Sequence, residues 1–189
     1  MRIIAGKHRG RRLKAVSGLK TRPTADRVKE AVFSAIDSRL RDCRFLDVFG
    51  GTASIALEAL SRGAKEAVII EKDSEALKVI RDNVAACKEE KQVRILNKDV
   101  ITALKILTNE HRCFDVIYID PPYQAGLYEK ILDLLAAGEL LAPGGIILCE
   151  SAKSTSLMLE NSIFCIYKER HYGDTKISFL QKHEETKEE

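Results

Sequence analysis

The tetrapeptide Asp120-Pro121-Pro122-Tyr123 puts an acid, two prolines and an aromatic ring in a row, directly after the apolar run 114–119. Proline fixes φ and lacks a backbone N–H, so the pair stiffens the chain and removes two donors. What remains is a rigid edge of acceptors, the Asp120 carboxylate and the Pro121 carbonyl, beside the face of Tyr123. Such an edge complements an –NH2 group. The exocyclic amine of a nucleic-acid base is a poor nucleophile, because its lone pair is delocalised into the ring. Two acceptors bonding its two hydrogens turn the nitrogen towards tetrahedral geometry and aim the lone pair at an electrophilic methyl group. Tyr123 stacks on the base and holds it in line, a positioning contribution. No strong general base is needed before attack, since the methylated amine is acidic and loses its proton readily. A plain proline turn closing a strand is the simpler reading of the same residues.

Three more acids follow apolar runs. The first run ends Asp47-Val48-Phe49-Gly50-Gly51-Thr52-Ala53, whose glycines let the backbone turn sharply and approach a ligand. It is neither G-x-G-x-x-G nor a phosphate-gripping loop. A carboxylate beside these glycines would repel a pyrophosphate; it suits an ammonium or sulfonium group, both of which S-adenosylmethionine (SAM) carries. Glu71 closes the second run, where an acid can accept from both ribose hydroxyls of a nucleoside. That indicates an adenosine-type ligand without separating NAD from SAM. Asp99 follows the third run, placed either to accept from an adenine amine or to cap a helix starting near Val100; the roles are compatible. A nicotinamide oxidoreductase lacks its fingerprint here and leaves Asp-Pro-Pro-Tyr unexplained.

For these acids to meet, strands and helices must alternate. The sequence predicts strands at 45–49, 67–70, 93–96, 114–119 and 146–149, and helices at 54–61, 74–87, 100–108 and 127–137, with Pro143-Gly144-Gly145 as a turn. That alternation gives an α/β fold, a mostly parallel sheet covered on both faces. Right-handed crossovers make it doubly wound, with ligands at the carboxyl ends of the strands. Residues 163–170 and 176–180 form a closing hairpin around Tyr172-Gly173-Asp174, for seven strands in all. Ahead of the sheet, residues 2–5 and 11–16 read as a β-hairpin flanked by Gly6 and Gly10. Val28, Val32, Ile36 and Leu40 then mark a helix with Thr24 as N-cap and Asp26 in its first turn. The expected divisions are a basic hairpin-and-helix extension at 1–40, the α/β domain at 41–182 and a charged, frayed tail at 183–189.

Charge is unevenly spread. Residues 1–29 hold ten Lys or Arg against one acid, while the other 160 residues hold 21 bases against 27 acids. A basic arm on an acidic body points to a polyanionic partner, with Lys7, Arg9, Arg11, Arg12, Arg22 and Arg27 as candidate nucleic-acid contacts. A solvated basic surface is the plainer alternative. The five cysteines form no CxxC pair and read as small reduced hydrophobes. No run approaches the roughly 18 apolar residues of a membrane span, and the N-terminus lacks a signal-peptide core. These features predict a cytoplasmic protein without a membrane partner.

The sequence resembles the class I SAM-dependent methyltransferases and, more closely, the RsmD-type family, which methylates N2 of a guanine in bacterial 16S (small-subunit) rRNA. The landmarks span nearly the whole chain: 2–7 with 9–11, 22–28, the Leu57–Ala64 stretch, Asp120-Pro121-Pro122-Tyr123, and Tyr172-Gly173-Asp174-Thr175. The resemblance implies a Rossmann-like fold, SAM as cofactor with S-adenosylhomocysteine as product, no metal, and a monomer acting on 16S rRNA, naked or within a small-subunit particle. It makes Asp120, Pro121, Pro122 and Tyr123 catalytic. It places Asp47 and Gly51 at the methionine part of SAM, Glu71 at the ribose and Asp99 at the adenine, with Gly50, Thr52, Lys72 and Val100 beside them. Arg22 and Thr24 fall near the SAM carboxylate or the RNA entrance. DNA adenine methyltransferases share Asp-Pro-Pro-Tyr, so N6 methylation of adenine in DNA or RNA stays open, as does a non-catalytic SAM-binding ribosome assembly factor. One argument favours guanine: its N1–H and N2–H2 are all donors, which an ionised Asp120 accepts, whereas adenine sets acceptor N1 beside its amine. One departure matters. The family usually reads Asp-x-Phe-x-Gly-Ser-Gly where this chain has Thr52 and Ala53 in place of Ser-Gly. If that last position needs positive φ, Ala53 costs roughly 1 kcal/mol and weakens SAM binding without abolishing it.

Overall fold

Apolar runs between glycine turns leave water by pairing side by side, which also satisfies their backbone groups. The computed structural model describes residues 1–16, 23–122, 127–160 and 162–183, with the backbone alone at 23–25. Strands β1 (Arg44–Asp47), β2 (Glu66–Glu71), β3 (Val93–Asn97), β4 (Phe114–Ile119), β5 (Leu141–Ala152), β6 (Phe164–Tyr172) and β7 (Thr175–Lys182) form one sheet in the order β3-β2-β1-β4-β5-β7-β6. The first five are parallel; β7 runs antiparallel between β5 and β6. This is the expected seven-stranded, doubly wound sheet. The strand order reverses between β1 and β4, and a ligand crevice opens at such a switch point.

Helices α1 (Pro23–Ala35), α2 (Ser54–Ser61) and α3 (Ser74–Cys87) cover one face, and α4 (Val100–Asn109) and α5 (Leu127–Ala137) the other. Leu77, Ile80, Val84 and Cys87 make the buried stripe of α3, and the Asp73 side chain caps it by accepting from the Ala76 N–H at 2.8 Å. Among the described residues no helix is long and apolar enough to cross a membrane.

Four expectations change, three of them in the sheet and helix α1. Pro143-Gly144-Gly145 does not sit between elements but inside β5. There the pairing with β4 jumps from Phe114↔Leu141 to Val116↔Ile146, so a bulge absorbs the proline and both glycines. Helix α1 begins at Pro23, which places Thr24 within its first turn instead of at the cap; proline suits a first helical position because its missing N–H is an orphan there anyway. The stripe through Leu40 is buried as expected, but the α-helix stops at Ala35 and a 3-10 turn spans Asp37–Arg39.

The N-terminal hairpin shrinks to a single antiparallel bridge, Arg2↔Arg12. Three backbone bonds still cross it, from the N–H groups of Ile3, Gly10 and Leu13 to the carbonyls of Arg11, Ile3 and Met1, and the helices take other amides of the segment. Glu58, fully buried on α2, accepts from the N–H groups of Ile4 (2.8 Å) and Ala5 (3.1 Å). Ser61 donates to the Ala5 carbonyl at 2.5 Å and accepts from the His8 N–H at 2.9 Å. Gly6 takes φ +80° against α2, where a Cβ would lie 1.7 Å from the Ser61 carbonyl oxygen. Asn83 on α3 accepts from the Lys14 N–H and donates to the carbonyls of Lys14 and Thr52, tying the returning chain to the glycine turn after β1.

Candidate active site

The strand ends after β1, β2, β3 and β4 surround a cavity of about 560 Å³, the size of a small-molecule site. Of the residues expected to hold a cofactor, Gly51, Glu71, Lys72, Asp99 and Val100 line it. Phe49, Ile70 and Ile101 add the apolar wall that a purine ring needs. Asp120 and Pro122 stand at the same cavity.

Asp47, Gly50 and Thr52 lie behind that wall. Gly50 packs so closely on β2 that a Cβ would come 2.4 Å from Ile69 Cγ2. The Thr52 carbonyl is held by Asn83, and its hydroxyl contacts the Met1 sulfur. Pro121 is buried while Pro122 is exposed. Tyr123 and Arg22 fall outside the described residues, as does the side chain of Thr24.

Each acid has a distinct environment. Glu71 is fixed by backbone donors: Gly51 N–H reaches Oε2 at 2.9 Å, and the N–H groups of Lys72 and Asp73 reach Oε1 at 2.8 and 2.9 Å. Three of its four acceptor sites are thus taken, and a lone pair remains on Oε2 for a ribose hydroxyl. Asp99 caps α4 by accepting from Thr102 N–H at 3.1 Å, and that bonding holds its carboxyl below the usual range. Asp47 is 1 % exposed, and among the described residues its Oδ2 has no hydrogen-bond partner. Burial first, then the negative charge of Asp120, pushes its carboxyl up to about 8, against the pull of the Phe49 and Ala56 amides. A buried carboxylate oxygen without a donor is costly and lacks a cation. The ammonium-bearing end of an amino acid would supply one, so the residues present fit SAM.

Asp120 keeps a face open to the cleft, yet the crowded strand ends desolvate it. That desolvation, with the charge of Glu150, holds its carboxyl well above the usual range. Glu150 near the end of β5 carries a similarly raised carboxyl, mainly from burial. The sequence reading did not single out Glu150. The rule that picked out Asp47, Glu71 and Asp120, an acid at the carboxyl end of a parallel strand, applies to it equally. Glu58, Lys29 and Asn83 were also missed as site supports; nothing in their spacing signals that they would be buried among polar partners.

The basic residues divide. Lys7 pairs with Glu89 at 2.7 Å, and the Arg11 guanidinium donates to the Ala86 carbonyl at 2.6 Å at the end of α3. Arg9, Arg12 and Arg27 are exposed. Among the described residues no group of three His, Cys, Asp or Glu side chains is set to hold a metal ion.

Sheet order, switch-point cavity and a row of strand-end carboxylates together define a class I SAM-dependent methyltransferase. The chain belongs to the family described as conserved hypothetical protein 95, whose family model matches residues 1–181. It is 31% identical over 182 residues to a putative rRNA methyltransferase, YlbH, of Bacillus subtilis, covering 96% of this chain and 99% of that one. Against ribosomal RNA small subunit methyltransferase D of Haemophilus influenzae the identity is 33% over 174 residues, covering 92% and 89%. A solved structure of the putative methyltransferase yhhF from Escherichia coli superposes with a TM-score of 0.82 at 31% identity, covering 98% of this chain and 99% of that one.

The departure at residue 53 has a structural outcome. Ala53 is buried with φ +63°, the left-handed conformation that glycine adopts freely. Relief of that strain is worth roughly 1–2 kcal/mol and the extra freedom of an unfolded glycine costs roughly 0.4–1, so Ala53→Gly nets a gain of about 0.5–1 kcal/mol. The expected result is a Tm about 1–4 °C higher and tighter SAM binding by calorimetry. Unchanged values of both would show that the turn is not strained.

Proposed function

We propose that the protein transfers a methyl group from SAM to the exocyclic N2 amine of a guanine in small-subunit (16S) rRNA, acting in the cytoplasm as a monomer. The observation that carries this reading is that Asp120 and Pro122 of the Asp-Pro-Pro-Tyr loop stand at the cavity just past the end of β4. Two names among its relatives, rRNA methyltransferase and ribosomal RNA small subunit methyltransferase D, support the RNA substrate.

SAM supplies an electrophilic methyl on a sulfonium. This chain's part is to bind, orient and exclude water. Asp47 takes the ammonium end, Glu71 the ribose, and Asp99 with Val100 the adenine. Gly50, Thr52 and Lys72 shape the turns around them, and Arg22 and Thr24 serve the carboxylate or the RNA entrance. Asp120 and the Pro121 carbonyl hold the two amine hydrogens; Pro122 keeps the loop rigid and Tyr123 stacks on the base. A base inside a duplex cannot reach this pocket, so it is single-stranded or flipped out at a cost of a few kcal/mol. Phosphate contacts from Arg9, Arg12 and Arg27, with Lys7 and Arg11 partly committed to the protein itself, offset that cost.

The deciding experiment is mass spectrometry of rRNA nucleosides from a strain lacking the gene. Loss of one N2-methylguanosine, restored by the purified protein and SAM on rRNA or on small-subunit particles, is expected. Intact N2-methylguanosine with a missing N6-methyladenosine would overturn the reading.

Two further results follow. Asp47 is held near 8 in the free protein, and a cationic ligand favours its ionised form. Binding therefore releases a proton. SAM affinity should rise with pH up to about 8 and fall again above it as the α-ammonium of SAM itself deprotonates, read by titration calorimetry in buffers of different ionisation enthalpy. A flat profile between pH 6 and 9 would remove Asp47 from the ammonium site. RNA affinity should fall steeply with salt, and Arg9/Arg12→Ala should lower the slope of log K against log [salt] by roughly 2, while Arg11→Ala changes it less. An unchanged slope in the double variant would place the RNA elsewhere.

A further inference from the structure

Strands β4 and β5 pair Ile117↔Ile147, Tyr118↔Leu148 and Ile119↔Cys149. One step on in that register, Asp120 stands beside Glu150. Neighbouring strands lie about 4.8 Å apart and side chains alternate between faces, so residues 118, 120, 148 and 150 share a face. It is the face packed by α1 and α2, since Tyr118 and Leu148 belong to that core. The buried Tyr118 hydroxyl donates to Glu150 Oε2, and the Tyr128 hydroxyl donates to the Glu150 backbone carbonyl. Among the described residues nothing donates to Oε1. Glu150 is thus a second carboxylate beside Asp120, locked in orientation by Tyr118 and Tyr128, with one oxygen left open.

Two adjacent carboxylates repel, and burial raises both. What relieves them is a row of donors. The edge of guanine presents three, N2–H2 and the neighbouring N1–H. Asp120 and the Pro121 carbonyl take the amine hydrogens, which leaves N1–H facing the next acceptor along the sheet. We infer that Glu150 accepts the N1–H of the target guanine through Oε1 and so sets the choice of purine. The inference rests on the guanine reading above and assigns a contact within it. Adenine and 2-aminopurine each put an unprotonated ring nitrogen where Glu150 offers an oxygen, and two lone pairs then face each other.

The test uses small-subunit particles rebuilt with rRNA carrying guanosine, 2-aminopurine or adenosine at the target position. 2-Aminopurine keeps the N2 amine but has an acceptor at N1. For the wild type, kcat/KM for guanosine should exceed that for 2-aminopurine by about 10–100-fold, as a site built around a hydrogen bond rejects the analogue lacking it. In Glu150→Gln the amide can donate to N1, and the ratio should fall to within about threefold of unity, with SAM affinity and Tm near wild type. Should Glu150→Gln not fold, Tyr118→Phe keeps the carboxylate but frees it, and the same ratio should narrow. A ratio that stays at the wild-type value while both rates fall together would reduce Glu150 to a structural role and overturn the inference. Wild-type enzyme preferring adenosine particles is a separate result, which overturns the guanine reading itself and the inference with it.

Discussion

Asp120→Ala should lower kcat for methyl transfer roughly 10²–10⁴-fold while SAM affinity stays within a few-fold. A thousandfold loss corresponds to about 4 kcal/mol of barrier. The asymmetry follows from where the carboxylate acts. It stands at the cavity wall, but the ribose and ammonium ends of SAM fall to Glu71 and Asp47. What the alanine removes is one of the two acceptors that turn the amine nitrogen, an interaction stronger in the transition state than in the ground state. Asp120→Asn leaves one acceptor oxygen in place and should cost nearer tenfold. The variants carry a second signature. The charge of Asp120 is one of the causes that hold Asp47 near 8. Removing it should move the rising limb of the pH profile of SAM binding to lower pH in both variants. Methylation at the wild-type rate by Asp120→Ala, on rRNA from a strain lacking the gene, would overturn the catalytic assignment.

Period and punctuation made much of this fold legible. Helices at Ser54–Ser61, Ser74–Cys87 and Leu127–Ala137, and the strand Phe114–Ile119, end where glycine, proline and capping residues say they should. The same signals misled at Pro143-Gly144-Gly145. Three turn formers within a strand are indistinguishable from a turn until the partner strand supplies a register for the bulge to interrupt. Local rules also suggested that residues 2–16 would pair with themselves, which they do at one bridge and three backbone bonds. Those rules could not reveal that Glu58, Ser61 and Asn83 take other amides of the segment, because each lies 50 or more residues away along the chain. In the site, a positional rule found Asp47, Glu71, Asp99 and Asp120. It could not separate wall from support. Gly51 lines the cavity and the buried Asp47 does not, and Gly50 admits no side chain against Ile69, a fact of packing across strands. Family resemblance flagged Ala53 as a departure, and only the backbone angle turned that departure into strain.

Two buried carboxylates hold the N-terminal arm, Glu89 through Lys7 and His8 and Glu58 through the arm's backbone, and Glu58→Ala should cost about 3–5 kcal/mol, lowering Tm by about 6–20 °C. Four groups depend on that side chain. The N–H groups of Ile4 and Ala5 lose their acceptor, Arg62 loses its partner at 2.8 Å, and Lys29 loses one at 3.4 Å. Lys29 is itself buried, with its ammonium otherwise donating to the Arg2 carbonyl and Ser54 hydroxyl. Breaking a buried pair from one side costs more than the pair is worth, because the remaining charge stays out of water. Glu58→Gln keeps an acceptor for one amide and should cost less, about 1–3 kcal/mol. The pH dependence identifies the stranded cation. Burial lowers the Lys29 pKa in the native protein while Glu58 opposes the shift, so loss of Glu58 lowers it further. A base whose folded pKa lies below its unfolded value binds fewer protons when folded, so stability rises with pH between the two values. The destabilisation of Glu58→Ala should therefore be largest at low pH and shrink as pH climbs towards 10.5, the ordinary value of lysine. Release of the arm reads out separately, as faster tryptic cleavage after Arg9, Arg11 and Arg12. RNA affinity should drop while SAM affinity changes little, since the arm and not the glycine turn loses an anchor. An arm that stays protease-resistant in Glu58→Ala would mean that Glu89, Asn83, Ser61 and the core contacts of Ile3 and Leu13 hold it without Glu58.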